Sequence, residues 1–174
     1  MKNTVIISAF PCCGKTTATN SLSSFYDFSD SDSSMFSWLD KEKGLRHPDF
    51  PSNYIEHIKS LIGEKDVIFV STHKNVRQAL EKANIPYCLV YPQNTPENKA
   101  LWEKRMRDRN NDKAFIDFIL NNWDEMIEDM EAETFPVHYI LGYERDGVTN
   151  RKVLDANSLE DIISIIILFN GDIV

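Results

Sequence analysis

The sequence predicts an α/β domain: a five-stranded, mainly parallel sheet with helices on both faces. Three observations point there. Short apolar runs alternate with stretches of helical periodicity along the chain. The runs are apolar almost throughout, as parallel strands covered on both faces must be. The polar, chemistry-bearing residues fall just after the runs, at the carboxyl ends of the strands, where such sheets bind ligands. Right-handed crossovers then distribute the helices over both sides.

The strand candidates are residues 5–9, 26–29, 67–71, 87–91 and 137–141. A first helix follows from Lys15 to about Ser24. Residues 53–62 set Tyr54, Ile55, Ile58, Leu61 and Ile62 on one face, with Asn53 and Glu56 as a capping-box variant. Residues 75–83 repeat Val76, Ala79, Leu80 and Ala83. Thr95-Pro96-Glu97 opens another helix with proline in its first position. A single helix over 115–130 would turn Phe115, Ile119, Trp123, Met126, Ile127 and Met130 inward and Asp117, Asp124, Glu128 and Glu131 to water. Asn157 and Glu160 cap a last helix. The apolar run 162–169 is too short to span a bilayer and reads as a buried C-terminal helix or strand. No internal repeat or long linker interrupts the pattern, and the Ser/Asp-biased stretch 29–34 reads as a functional loop.

With 174 residues, 42% hydrophobic and 26% charged, the chain suits one domain over 1–174 with a sizeable core. That composition argues against disorder, a collagen-like repeat and a disulfide scaffold. The 19 Lys+Arg against 27 Asp+Glu leave a net charge of −8, so stable nucleic-acid binding and membrane-surface binding are not expected. Three cysteines, two of them adjacent (Cys12, Cys13), suit a reducing, cytoplasmic setting. The apolar run near the start ends in a Gly-Lys loop within a few residues, which is not a targeting segment. A homodimer is left open.

The first strand runs into Ala9-Phe10-Pro11-Cys12-Cys13-Gly14-Lys15-Thr16-Thr17. This fits the P-loop spacing, four residues and then Gly-Lys-Ser/Thr, with Ala in the first small position. In this chemistry the backbone amides of Phe10 to Thr16 wrap a nucleotide's phosphates, Gly14 gives a close approach without a Cβ, and Thr17 continues the helix. The N-terminus of that helix faces the anion, Lys15 reaches the β and γ oxygens, and the Thr16 hydroxyl ligates Mg²⁺. Cys12 and Cys13 read as small loop fillers, or as thiols made acidic by the helix N-terminus.

The second strand ends in Phe28-Ser29-Asp30-Ser31-Asp32. Such carboxylates can hold Mg²⁺ through water or take the proton of an attacking hydroxyl; equally they can form a solvated turn. Asp30 comes first, then Asp32; strand alternation turns Asp27 to the opposite face. The third strand ends in Ser71-Thr72-His73 with no Asp for the metal, since Asp66 stands at its start. His73 suits a capping or surface role better than a substrate contact.

Within Lys104-Arg105-Met106-Arg107-Asp108-Arg109, Arg105 and Arg109 share one helical face and Arg107 points elsewhere. Two arginines on a helix end, in a lid over about 103–114, can clamp transferring phosphates and exclude water. The alternative is a solvated face paired with Glu103 and Asp108. Residues 31–62 read as the acceptor-binding insertion, with Phe36, Ser37, Trp38, Arg46, His47, Asp49, Phe50 and Tyr54. There Trp38 and Phe50 would sandwich a base and Arg46 would hold an acceptor phosphate, or the aromatics would simply pack a small helical cap.

Together the Ala9–Thr17 loop, the Asp30-Ser31-Asp32 acids, the insertion and the Arg105/Arg109 pair resemble the nucleoside-monophosphate kinase-like P-loop kinases, most narrowly the small nucleotide kinase-like proteins of bacteriophages and prophages. The phrase Phe28-Ser29-Asp30-Ser31-Asp32 is also similar to the strand-end acids of shikimate and gluconate kinases, although no Gly-rich triplet follows the third strand. The resemblance implies a P-loop NTPase three-layer sandwich with core strand order 2-3-1-4-5, use of ATP and Mg²⁺, and a loop at about 142–157 flanking the adenine. It also implies nucleotide substrates, with Lys15, Arg105, Arg109 and Asp30 catalytic, Asp30, Trp38, Arg46 and Phe50 on the acceptor, and Thr16 and Asp32 on the metal. Two alternatives stay open: a kinase of another small hydroxyl acceptor or of a polynucleotide 5′-hydroxyl, with Asp30 as base, and a nucleotide-binding regulatory protein without turnover.

Overall fold

A computed structural model describes residues 2–142 and 158–169. Five strands form the central sheet: β1 (Val5–Ala9), β2 (Phe28–Asp30), β5 (Val67–Val70), β6 (Cys88–Pro92) and β7 (Val137–Leu141). Their spatial order is β2-β5-β1-β6-β7 and every pairing is parallel. Between β2 and β5 a short antiparallel pair, β3 (Trp38–Asp40) and β4 (Leu45–Arg46), makes a second sheet. Leaving that pair aside, the core order is the expected 2-3-1-4-5.

All residues of β1 and β5 are buried. Parallel strands demand cover on both faces, and their unbroken Val/Ile/Phe character is what that burial selects. The helices supplying it are α1 (Lys15–Leu22), α2 (Ser34–Ser37), α3 (Ser52–Leu61), α4 (Lys74–Lys82), α5 (Pro96–Asp108), α6 (Lys113–Asn121), α7 (Trp123–Glu131) and α8 (Leu159–Phe169). Helix α8 packs against α1, α3 against α4, and α6 against both α5 and α7. The architecture is a three-layer α/β sandwich.

Several boundaries differ from the sequence reading. Strand β2 starts later than residue 26, because Asp27 is turned aside to pair with Lys65 (3.0 Å) while its backbone N–H donates to Asp66 (2.7 Å). The helix expected over 115–130 is two helices: Asn122 leaves helical geometry and its Nδ2 donates to Phe118 O (2.7 Å). The break lets the Trp123 Nε1–H donate to Asn94 Oδ1 at 2.9 Å. Asn53 and Glu56 form no capping box. Pro51 holds the cap position of α3 and Asn53 instead donates to Phe36 O (2.9 Å), tying α3 to the insertion. Thr95 caps α5 as expected, accepting from Asn98 N–H (3.2 Å). Asn157 lies outside the described residues; at α8 it is Ser158 Oγ that accepts from Asp161 N–H (3.1 Å). The run 162–169 belongs to that helix, with Ile162, Ile163 and Ile166 buried. Among the described residues no helix is long and apolar enough to cross a membrane.

Candidate active site

Strand β1 delivers the chain into a tight turn anchored from below by Phe10. Its ring is fully buried, edge-on to Trp123 at 5.5 Å. The cradle is narrower than the sequence suggested. The Phe10 N–H donates to Val90 O (2.8 Å), the Cys13 N–H donates to Phe10 O (3.2 Å), and Pro11 has no N–H. Among the described residues, the N–H groups of Cys12 and of Gly14 to Thr17 make no backbone hydrogen bond, and the Ala18 N–H is the first to close back, onto Gly14 O (2.9 Å). These are the unfilled donors of a helix N-terminus, and no acidic residue in the first turn competes for them. Gly14 adopts φ 98°, and nothing stands within 4 Å of where its Cβ would be. Glycine is therefore required here for its backbone angle, and the space beside it is open.

Thr16 and Thr17 open α1 with exposed side chains. Lys15 Nζ lies 3.4 Å from Asp30 Oδ1, with the Asp30 side chain 57% exposed. Asp32 is held differently: its Oδ1 accepts the Ser34 N–H and its Oδ2 the Ser34 hydroxyl, both at 2.8 Å. Partial burial would raise the Asp32 pKa, but the Ser34 bonds, with Lys15 and Lys41 beyond, outweigh it and hold the carboxyl below the usual range. Of the two acids, Asp30 is the one in direct contact with Lys15.

The turn carrying these acids is fixed by Tyr54 of α3. Its hydroxyl donates to Ser31 O (2.7 Å) and accepts from Ser71 N–H (3.4 Å), so one buried phenol joins the ends of β2 and β5. Burial, and then Asp32 and Asp30 nearby, push its pKa well above the ordinary tyrosine value. His73 follows at the start of α4. Partial burial, then Arg46 and Arg77, pull its pKa below the ordinary histidine value against the pull of Asp32.

The insertion sets Arg46 over the Trp38 ring, guanidinium carbon 3.6 Å from the centroid. Phe50 packs toward Tyr54 (ring centroids 6.3 Å) and Phe36 toward both Tyr54 and His57. Trp38 and Phe50 therefore each have a partner within the insertion, Trp38 a cation and Phe50 a ring.

On α5 the cations separate by face. Lys104 pairs with Asp108 (2.7 Å) and Arg107 with Glu103 (2.6 Å), both exposed i,i+4 pairs, and Asp108 also borders the cleft described next. Among the described residues, Arg105 and Arg109 have no acidic partner. Arg105 lies over Trp102 (4.3 Å), and both arginines line a cleft of about 530 Å³ with Cys12, Gly14 and Thr17 of the loop. The same cleft reaches Asn98, Gly142 and Glu160. The rest of the segment expected beside an adenine, 143–157, lies outside the described residues. The residues expected as a lid, about 103–114, are the end of α5, a turn and the start of α6, whose cap Asp112 accepts from Phe115 N–H (2.8 Å).

The thiols are not made acidic. Burial pushes Cys12 up more strongly than Arg109, Arg105 and Lys15 pull it down, and burial pushes Cys13 far above the ordinary value. All three cysteines are free. Behind the site, Arg77 is 2% exposed and bonds Asp129 (2.6 Å), Glu133 (2.7 Å) and the Thr72 carbonyl, bracing the loop after β5. Neither this network nor the roles of Tyr54 and Trp102 followed from the sequence. The only sign was Arg77 sitting beside Val76 on an otherwise apolar helical face.

Fold and loop together define a P-loop α/β protein with an arginine-lined cleft. The chain is similar to the structure of a gluconokinase from Sinorhizobium meliloti 1021, with 12% identity, TM-score 0.48, and coverage of 83% of this chain and 86% of that chain. No protein-family model matches the chain, and no curated protein matches it.

Proposed function

We propose that the protein transfers the γ-phosphoryl group of ATP, with Mg²⁺, to a nucleoside monophosphate, with a deoxynucleotide the favoured acceptor. The observation carrying this reading is the juxtaposition of amides at Gly14 to Thr17 that make no backbone hydrogen bond with two arginines, Arg105 and Arg109, that face the same cleft and have no acidic partner among the described residues. Such cations beside a helix N-terminus suit a polyanion.

In this reading the amides of Cys12 and Gly14 to Thr17 hold the donor phosphates and Lys15 leaves Asp30 for their oxygens. Arg105 and Arg109 neutralise charge on the transferring group. Thr16 and Asp32 would hold Mg²⁺, which would neutralise phosphate charge there. On the acceptor side, Arg46 on Trp38 would meet the acceptor phosphate, with Trp38 and Phe50 of the insertion meeting the base. Catalysis is then positioning and charge neutralisation.

ADP release measured over a panel of ribo- and deoxynucleoside monophosphates, nucleosides and small hydroxyl acids tests this. Turnover confined to monophosphates supports it; ATP binding with no turnover on any acceptor favours a regulatory role. One observation supports a second reading, phosphorylation of a hydroxyl: Asp30 is exposed and next to Lys15, where a base would stand. Asp30→Asn then lowers kcat about 10²-fold or more, against less than about tenfold for a monophosphate acceptor.

A further inference from the structure

Trp102 lies where the phosphate loop and the arginine helix meet. It is 1% exposed, and its Nε1–H donates to Pro11 O at 2.8 Å. The Arg105 guanidinium sits over its ring. A second indole, Trp123, packs edge-on at 6.0 Å and in turn meets the ring of Phe10. A single side chain therefore touches both the loop backbone and one of the two unpaired arginines.

The consequence for the loop follows from peptide geometry. A trans peptide is planar, with its C=O and N–H pointing in opposite directions. The Pro11–Cys12 bond is trans. Fixing Pro11 O on the indole thus fixes the Cys12 N–H, directed away from α5. That N–H makes no backbone hydrogen bond among the described residues, whereas its neighbours at 10 and 13 are engaged. Cys12 also has φ 62°, a conformation that a non-glycine residue keeps only where its surroundings impose it. The indole bond constrains the peptide immediately upstream.

We infer that Trp102 is a positioning residue for the donor nucleotide: its indole N–H sets the Pro11–Cys12 peptide so that the Cys12 amide meets phosphate, while its ring seats Arg105 over the same site. The inference rests on the donor half of the function proposed above and is independent of the acceptor.

The test compares the protein with Trp102→Phe, which keeps a ring for Arg105 and Trp123 and removes only the N–H donor. Calorimetry uses the Mg²⁺ salt of a non-hydrolysable ATP analogue. Labelling with ¹⁵N-cysteine adds a direct signature, because the chain has only three cysteine amides. In the wild type the Cys12 amide resonance moves downfield on saturation while Cys88 stays still. In Trp102→Phe affinity falls about tenfold or more and the Cys12 amide no longer moves. If the wild type binds no analogue, the donor reading fails and takes this inference with it. If both bind within about twofold, or if the Cys12 amide moves equally in both, the role of Trp102 is overturned and the donor reading stands. Should Trp102→Phe fail to fold, the wild-type indole N–H resonance of Trp102 decides: a shift on saturation supports the inference and an unmoved signal overturns it.

Discussion

The loop after β1 and the insertion hairpin are built from different materials. The loop, proposed to hold the donor, is backbone: helix-start amides and a left-handed glycine, braced by fully buried Phe10 and Trp102. The hairpin, proposed to meet the acceptor, is side chain: Arg46 on a two-residue strand, stacked on a half-buried Trp38, with Leu39 and Leu45 exposed. Backbone donors tied to a buried sheet hold one geometry whatever binds. Side chains on a short hairpin can be exchanged one at a time, so under the proposed function a common donor and a particular acceptor would suit these two kinds of construction.

That contrast can be broken at several points. The largest effect belongs to Lys15→Ala, which is expected to lower phosphoryl transfer by about 10³-fold or more while the melting temperature stays nearly unchanged, since among the described residues Lys15 pairs only with the exposed Asp30. An active Lys15→Ala enzyme would remove the donor assignment. Next, Arg105→Ala and Arg109→Ala should each lower kcat about 10²-fold in the same ADP-release assay. Arg46→Ala should raise the acceptor KM about tenfold and leave the ATP KM alone; equal changes in both would mean that the two sides are not separable. The smallest effect is expected at Arg107→Ala, within about twofold, because its partner Glu103 lies with it on the solvent face.

How far the sequence could be read follows the same division. The parallel sheet and the loop were legible because each rests on local spacing: continuous apolar runs for doubly covered strands, and Gly-Lys-Thr after the first of them; the strand order came only from the family resemblance. The sorting of the α5 arginines was legible too, since i,i+4 geometry alone puts Arg105 with Arg109 and Arg107 with Glu103. What stayed hidden is set by distant partners. Tyr54 joins two strand ends 23 and 17 residues away in the chain. Trp102 reaches Pro11 across 91 residues, and Arg77 reaches Asp129 and Glu133 across more than fifty. No periodicity encodes such pairs. The loss of the Phe10 and Cys13 amides from the cradle is likewise a matter of where Val90 lies and how the turn closes. The broken helix at Asn122 concealed itself because the inward-facing residues keep helical spacing on either side of the break.

At the far end of the cleft, a methyl group on Gly142 would come 2.7 Å from Asn98 Oδ1, a clash at a position whose φ of 70° already disfavours other residues. Asn98 is in turn tethered by its amide to the carbonyls of Gln93 and Gly142. Any side chain at position 142 would therefore require position 98 to be trimmed first, so the size of the residue at 98 sets how far this end of the cleft can be reshaped from Gly142.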